Sequence, residues 1–261
     1  AFVASALAGD WQPVLAPFAL RGFADGFAGS DADIGALAMV ELADQSILVS
    51  AGNLRNEVFR FSKDGGRNTT PLFTLDVPIL DMALDTLGQL WVMTGRELLQ
   101  VDAESGVIVR RILGPNQEPL THAVAIQPGT GDIYVSSGNG VEIFRPTATD
   151  PATMWRHFSN ERVGDLAFGP DGRLWGVKWS GKDVTAAMPG STTDIVSFPM
   201  SGRTIGRAEL EYRLTGTIDS IAFGAAGTQL EGLLLASSNL NQRPVPFTGA
   251  AAVPHGSAVW M

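Results

Sequence analysis

The chain has 261 residues, a formal charge of −9 and no cysteine. That length can bury a full core in one domain, and the acidic balance argues against nucleic acid or an anionic membrane surface as a partner. The missing cysteines exclude disulfides, zinc–thiolate sites and thiol nucleophiles, and no apolar run is long enough to span a membrane.

In chain order, the N-terminus reads as a mature end or a cut domain: Ala1 opens it without an initiator Met or a basic leader. Phe2-Val-Ala-Ser5 and Val14-Leu-Ala-Pro-Phe18 match the third and fourth strands of a closing blade within 1–18. Five first strands follow, each carrying a small Ala at position 38, 83, 125, 167 or 222. Their spacing of 42 to 55 residues is that of propeller blades. Second strands begin at Ile47, Leu90, Ile133, Leu174 and Leu233, after turns holding Gly88, Gly131, Gly172 and Gly227 in four of them. Third strands begin at Val58, Leu98, Val141, Ile195 and Ala258. Fourth strands begin at Leu72, Val107, Trp155 and Leu210. No long amphipathic helix appears. The reading is all-β: one β-propeller domain over 1–261, with four-stranded antiparallel blades beginning near 34, 79, 120, 163 and 218. Five blades are recognisable. Two strands at the N-terminus and a third strand at Ala258 favour a six-bladed parent ring, with a closed five-bladed ring as the alternative. Asn241 to Gly256 reads as an irregular loop.

The face holding the loops into first strands and out of second strands is where a propeller ligand sits. The alignment places Asp81 and Asp165 there, two before the small Ala, with Ala36, Ala123 and Ser220 in the other blades. Asn53, Asn139 and Asn239 follow the second strands, and Trp179 lies nearby with a ring that could stack on a sugar. Carboxylates and amides around an axis suit a hard cation such as Ca2+. The competing structural reading is that Asp caps a strand entrance and Asn tolerates the left-handed turn. His122 is the one histidine near this face. His157 falls in an outermost strand and His255 in the irregular loop, so neither is favoured for catalysis. Ser30-Asp-Ala-Asp33 and Gly22 to Gly29 loosely match calcium-binding loops, each without its full pattern. No phosphate-binding Gly-Lys-Ser/Thr loop and no Gly-x-Ser-x-Gly nucleophile signature is present.

Asp165-Leu-Ala-Phe-Gly-Pro-Asp-Gly-Arg-Leu-Trp175 closely resembles a blade of the superfamily holding NHL-repeat, streptogramin-lyase-like and SMP-30/gluconolactonase proteins. The chain's texture also resembles propeller segments of large secreted bacterial adhesin-like proteins. The SMP-30 likeness implies a divalent metal on the axis and offers Asp81, Asp165, Asn53 and Asn139 as ligands. Its metal-binding Glu has no matched position here.

The expectation is a non-catalytic binding or scaffold module of a larger bacterial protein, extracellular, at the cell surface or periplasmic. It needs no cofactor and has Ca2+ as an optional one. A glycan, a protein or a small polar ligand is the expected partner, beside other domains of the parent chain. The alternative is a divalent-metal-dependent lactonase or lyase, with His122 as base.

Overall fold

The computed structural model describes residues 22–29, 36–179, 192–200, 206–215, 218–239 and 257–260. The closing-blade strands expected in 1–18, the Ser30–Asp33 loop and His255 lie outside them. Packing divides the chain into two compact units, Ala1–Leu113 and Gly114–Met261.

The first unit carries two blades. β1 (Ala24–Asp25) precedes β2 (Met39–Glu41), β3 (Ile47–Ala51) and β4 (Glu57–Phe61), and β5 (Gly66–Arg67) and β6 (Phe73–Thr74) follow. The blade itself is β2-β3-β4-β6, and β1 runs parallel to β5 beside it. The segment leading into β2 therefore carries a strand of its own. Its Phe27 lies 5.5 Å from Phe59 and 6.1 Å from Phe61, centroid to centroid, so aromatic packing holds it down. The second blade is β7 (Asp81–Leu84), β8 (Leu90–Met93), β9 (Glu97–Val101) and β10 (Ile108–Leu113). Leu48 and Val58 of the first blade cluster with Met82, Val92 and Leu99 of the second. Strands sandwiched between blades bury both faces, which is why their sequences run apolar without alternation.

The second unit continues the series. Its first blade, blade 3 of the chain, is β11 (Leu120–Ile126), β12 (Ile133–Ser137), β13 (Gly140–Phe144) and β14 (Trp155–Ser159), with a one-turn α1 (Pro151–Met154) leading into β14. Blade 4 is β15 (Asp165–Phe168), β16 (Leu174–Trp179), β17 (Thr192–Phe198) and β18 (Glu209–Thr215). Blade 5 shows β19 (Ile218–Phe223), β20 (Leu234–Asn239) and β21 (Ser257–Trp260). β21 pairs antiparallel with β20 and takes the third-strand place expected of Ala258-Val-Trp260. The described residues thus hold four complete four-stranded antiparallel blades and three strands of a fifth. Among them, no helix is long and apolar enough to cross a membrane.

The hairpin Phe168-Gly-Pro-Asp-Gly-Arg173 forms as its sequence demands. Gly172 sits at φ +75° and donates its N–H to Gly169 O at 2.9 Å. Trp175 Nε1 donates to Asp171 Oδ1 at 3.4 Å, and in blade 2 Trp91 Nε1 donates to Asp85 Oδ2 at 3.0 Å. Both tryptophans pin a turn to the strand that follows it.

Candidate functional site

Strand register fixes which residues are equivalent at the blade entrances. Asp81 faces Met93 and Asp165 faces Val177. In blade 1 Met39 faces Val49, so Ala38, rather than Ala36, stands opposite Ser50 and occupies the Asp81 place. The sequence alignment was two residues out there because a run of alternating Ala offers two equally good matches. In blade 5 Leu234, not Leu233, begins the second strand, and Ser220 faces Ser237. Asn239 is then one residue out of line with Asn53 and Asn139: its backbone pairs with Ser257 inside the strand, whereas Asn53 and Asn139 sit in turns.

At this position the chain solves one problem in two ways. The first strand is an edge of its blade, and its N–H groups that no partner strand satisfies need an acceptor. Where the first strand has Asp, its own carboxylate accepts. Asp81 Oδ1 takes the Met82 N–H at 2.8 Å. Asp165 Oδ1 takes the Leu166 N–H at 2.8 Å, and its Oδ2 takes the Ile221 N–H of the next blade at 2.6 Å. Where the first strand has Ala, a second-strand serine accepts instead. Ser50 Oγ takes the Ala38 N–H at 2.9 Å. Ser136 Oγ takes the N–H groups of His122 and Ala123 at 2.9 and 2.8 Å and the Thr121 hydroxyl at 2.8 Å.

Asp165 keeps a small accessible edge, yet its carboxyl is enclosed by protein. Burial pushes its pKa up to about 7, against the pull of its two backbone N–H donors. A cation here would have to displace those donors. Among the described residues, no three carboxylate or histidine side chains come together as a metal-holding group. His122 is exposed, and crowding of its ring by neighbouring atoms holds its pKa below the usual value. Asn53 is exposed in the turn after β3. Trp179 and Asn239 lie at strand positions, with side chains outside the described residues.

A cleft of about 210 Å³ opens within the second unit and includes one expected residue, Asn139. Its floor is the β13–β14 pair, its rim the loop into β11 and the β12–β13 turn. The rim loop closes on itself: Gly114 donates to Glu118 O at 3.0 Å, and Asn116 adopts φ +57° at its tip. Opposite, Gly138 and Asn139 form a two-residue turn in which Asn139 N–H donates to Ser137 Oγ at 3.1 Å. Gly140 follows at φ +130°, where a Cβ would stand 1.9 Å from Ser159 O. Asn139 Nδ2 donates to Glu118 Oε2 across the rim.

The floor holds two residues that the sequence reading did not select as a site. Glu142 is 3% exposed and faces His157 on the neighbouring strand. His157 Nδ1 lies 3.0 Å from Glu142 Oε1, and Nε2 lies 2.9 Å from Asn160 Oδ1. Both ring nitrogens therefore face oxygen acceptors, which favours imidazolium. Burial draws the His157 pKa down, but the hydrogen bonds to Glu142 and Asn160 and the Glu142 charge outweigh it and raise the pKa overall. Ser137 Oγ donates to the same Glu142 oxygen at 3.3 Å. Trp155, with its ring 5.1 Å from that of Phe144, walls one side together with Pro115.

A sequence signal for Glu142 did exist. By register, Glu142 stands where the other third strands place Phe59, Leu99, Val196 and Trp260. A carboxylate in a place that every other blade gives to an apolar side chain carries a desolvation cost without a packing reason.

No protein family and no curated protein matches this chain. Solved structures do. A nidogen/laminin complex matches at 13% identity and a TM-score of 0.53, over 79% of this chain and 73% of that one. Luciferin-regenerating enzyme matches at 15% identity and a TM-score of 0.52, over 82% and 74%. Virginiamycin B lyase from Staphylococcus aureus matches at 14% identity and a TM-score of 0.46, over 77% of each chain. At these identities the likeness concerns the fold alone, a β-propeller.

Proposed function

We propose that this chain is a non-catalytic binding module, a propeller whose cleft in blade 3 takes a small polar ligand. The observation that carries the reading is how the polar groups are used. Asp165 spends both oxygens on backbone N–H groups, and His157 has both ring nitrogens engaged. Neither is placed as a free general base, which needs an open lone pair within reach of a substrate proton. The blade 3 cleft instead presents carboxylate, amide and indole surface to solvent. Its volume lies below the roughly 300–1,000 Å³ of sites that enclose drug-sized ligands, which suits one side chain or one small molecule.

The absence of cysteine and the acidic surface suit a module of an extracellular, cell-surface or periplasmic bacterial protein, and an adhesin-like parent fits the same features. The rival reading is a metal-dependent lactonase or lyase acting on lactones or on a streptogramin such as virginiamycin B. Incubating the protein with virginiamycin B and simple lactones, with Ca2+ or Mg2+ supplied, separates the two. The binding reading expects no turnover above the buffer blank. Turnover that disappears in His122→Ala overturns it.

A further inference from the structure

Resting on the binding-module reading, we propose that the blade 3 cleft takes an organic ammonium group, received by the carboxylates of Glu118 and Glu142 against the wall of Trp155. Three observations converge on this chemistry. The first is the buried carboxylate itself. Glu142 Oε1 serves His157 and Ser137, whereas Oε2 has no hydrogen-bond donor among the described residues although the side chain is 3% exposed and lines the cleft. A buried carboxylate oxygen needs a donor, which in an open cleft is water or the ligand group that displaces it.

The second observation is charge. Glu118 and Glu142 contribute two negative charges and His157 at most one positive, so the cleft is net negative. No Lys or Arg lines it. The third is the wall. An indole beside carboxylates holds a cation through its ring face as well as its apolar area. A neutral polyol would satisfy Glu142 Oε2 but would gain nothing from the charge. An anion is excluded by it. A metal ion lacks its ligand set, because among the described residues no three carboxylate or histidine side chains come together to hold one.

Ammonium of this kind can come from a free amine or from a lysine side chain of a partner. Both present the same group, and the test separates them. Isothermal titration uses n-butylammonium chloride, the tripeptide acetyl-Ala-Lys-Ala-amide, its Nε-acetylated form and methyl glucoside. The inference expects both cations to bind, with the acetylated peptide and the glucoside at least roughly tenfold weaker, the worth of one charge-assisted hydrogen bond. Tighter binding of the peptide assigns the lysine source, and equal binding assigns the free amine.

Glu118→Gln, on the exposed rim, should weaken both cations by roughly tenfold or more with an unchanged melting midpoint. If Glu142→Gln fails to fold, the double variant Glu142→Leu/His157→Leu gives the third strand the apolar residue of the other blades and the fourth strand the Leu of blade 4, and should fold without binding. Equal affinity for the acetylated peptide, or full affinity in Glu118→Gln, overturns the inference. Glucoside binding that is lost in Trp155→Ala overturns the ammonium assignment and leaves the binding module standing. Conversion of any probe overturns the module reading itself.

Discussion

Replacing Asp165 by Asn should flatten the dependence of stability on pH across the neutral range. Burial holds the Asp165 pKa up at about 7, against 3.8 in an ordinary setting. In the unfolded chain the proton is released near pH 4, while the folded state keeps it up to about pH 7. The folded state therefore binds the extra proton in that window. The contribution of Asp165 to stability is highest below about pH 4, falls as pH rises and levels off above about pH 7. At about 1.4 kcal/mol per pH unit the loss approaches about 4 kcal/mol, an upper bound because water at the accessible edge relieves part of it. Asn carries no proton to lose. Its amide nitrogen faces one of the two N–H groups that Asp165 accepts, so the variant gives up one hydrogen bond, about 1–3 kcal/mol at every pH. Urea unfolding followed by tryptophan fluorescence at several values between pH 5 and 8 separates the two effects, because every other titrating group is common to both proteins. The wild type should lose stability with rising pH faster than the variant. Parallel curves would refute the burial argument.

Other expectations follow from the same hydrogen bonds. Ser136→Ala strips three donors of their acceptor and should cost about 2–3 kcal/mol in urea unfolding, against about 1 kcal/mol for Ser50→Ala, which serves one donor. Gly140→Ala forces a Cβ onto Ser159 O and should cost at least about 3 kcal/mol, whereas Gly172→Ala, with nothing within 4 Å, should cost about 1–2 kcal/mol. The His157 ring should titrate above the ordinary histidine value by NMR and fall back in Glu142→Gln. The stability it adds is present below its unfolded pKa and lost as pH rises through the folded one. Calcium added to chelator-treated protein should leave the melting midpoint unchanged in the wild type and in Asp81→Ala/Asp165→Ala, since the backbone already occupies these carboxylates.

The fold was legible because each blade repeats a local pattern. Apolar runs, a Gly-bearing turn and a Leu-Trp or Ile-Tyr start specify a hairpin, and the hairpin recurs. Register was less legible. Ala36 and Ala38 look alike in sequence, and only the pairing of Met39 with Val49 tells them apart. Asn239 looks equivalent to Asn139 for a different reason: Leu233 and Leu234 both suit the start of the second strand, and the choice moves the register by one residue. Asp81 and Asp165 share one strand position, as the alignment has it, and their carboxylates accept backbone N–H groups there. The cleft was only partly legible. Asn139 was selected from its turn, but Glu142 was passed over as a strand residue and His157 as an outer-strand one. Glu142 becomes visible only when blades are compared position by position, because the signal is a carboxylate among Phe59, Leu99 and Val196, not a motif along the chain, and His157 follows from its pairing with Glu142.

The most direct test of the central claim is amide and indole chemical-shift mapping during titration with n-butylammonium. Binding in the blade 3 cleft gives saturable shifts at Glu118, Asn139, Glu142, His157 and the Trp155 indole. Shifts centred on Asn53, Asp81 or Asp165, or none at all, would contradict it.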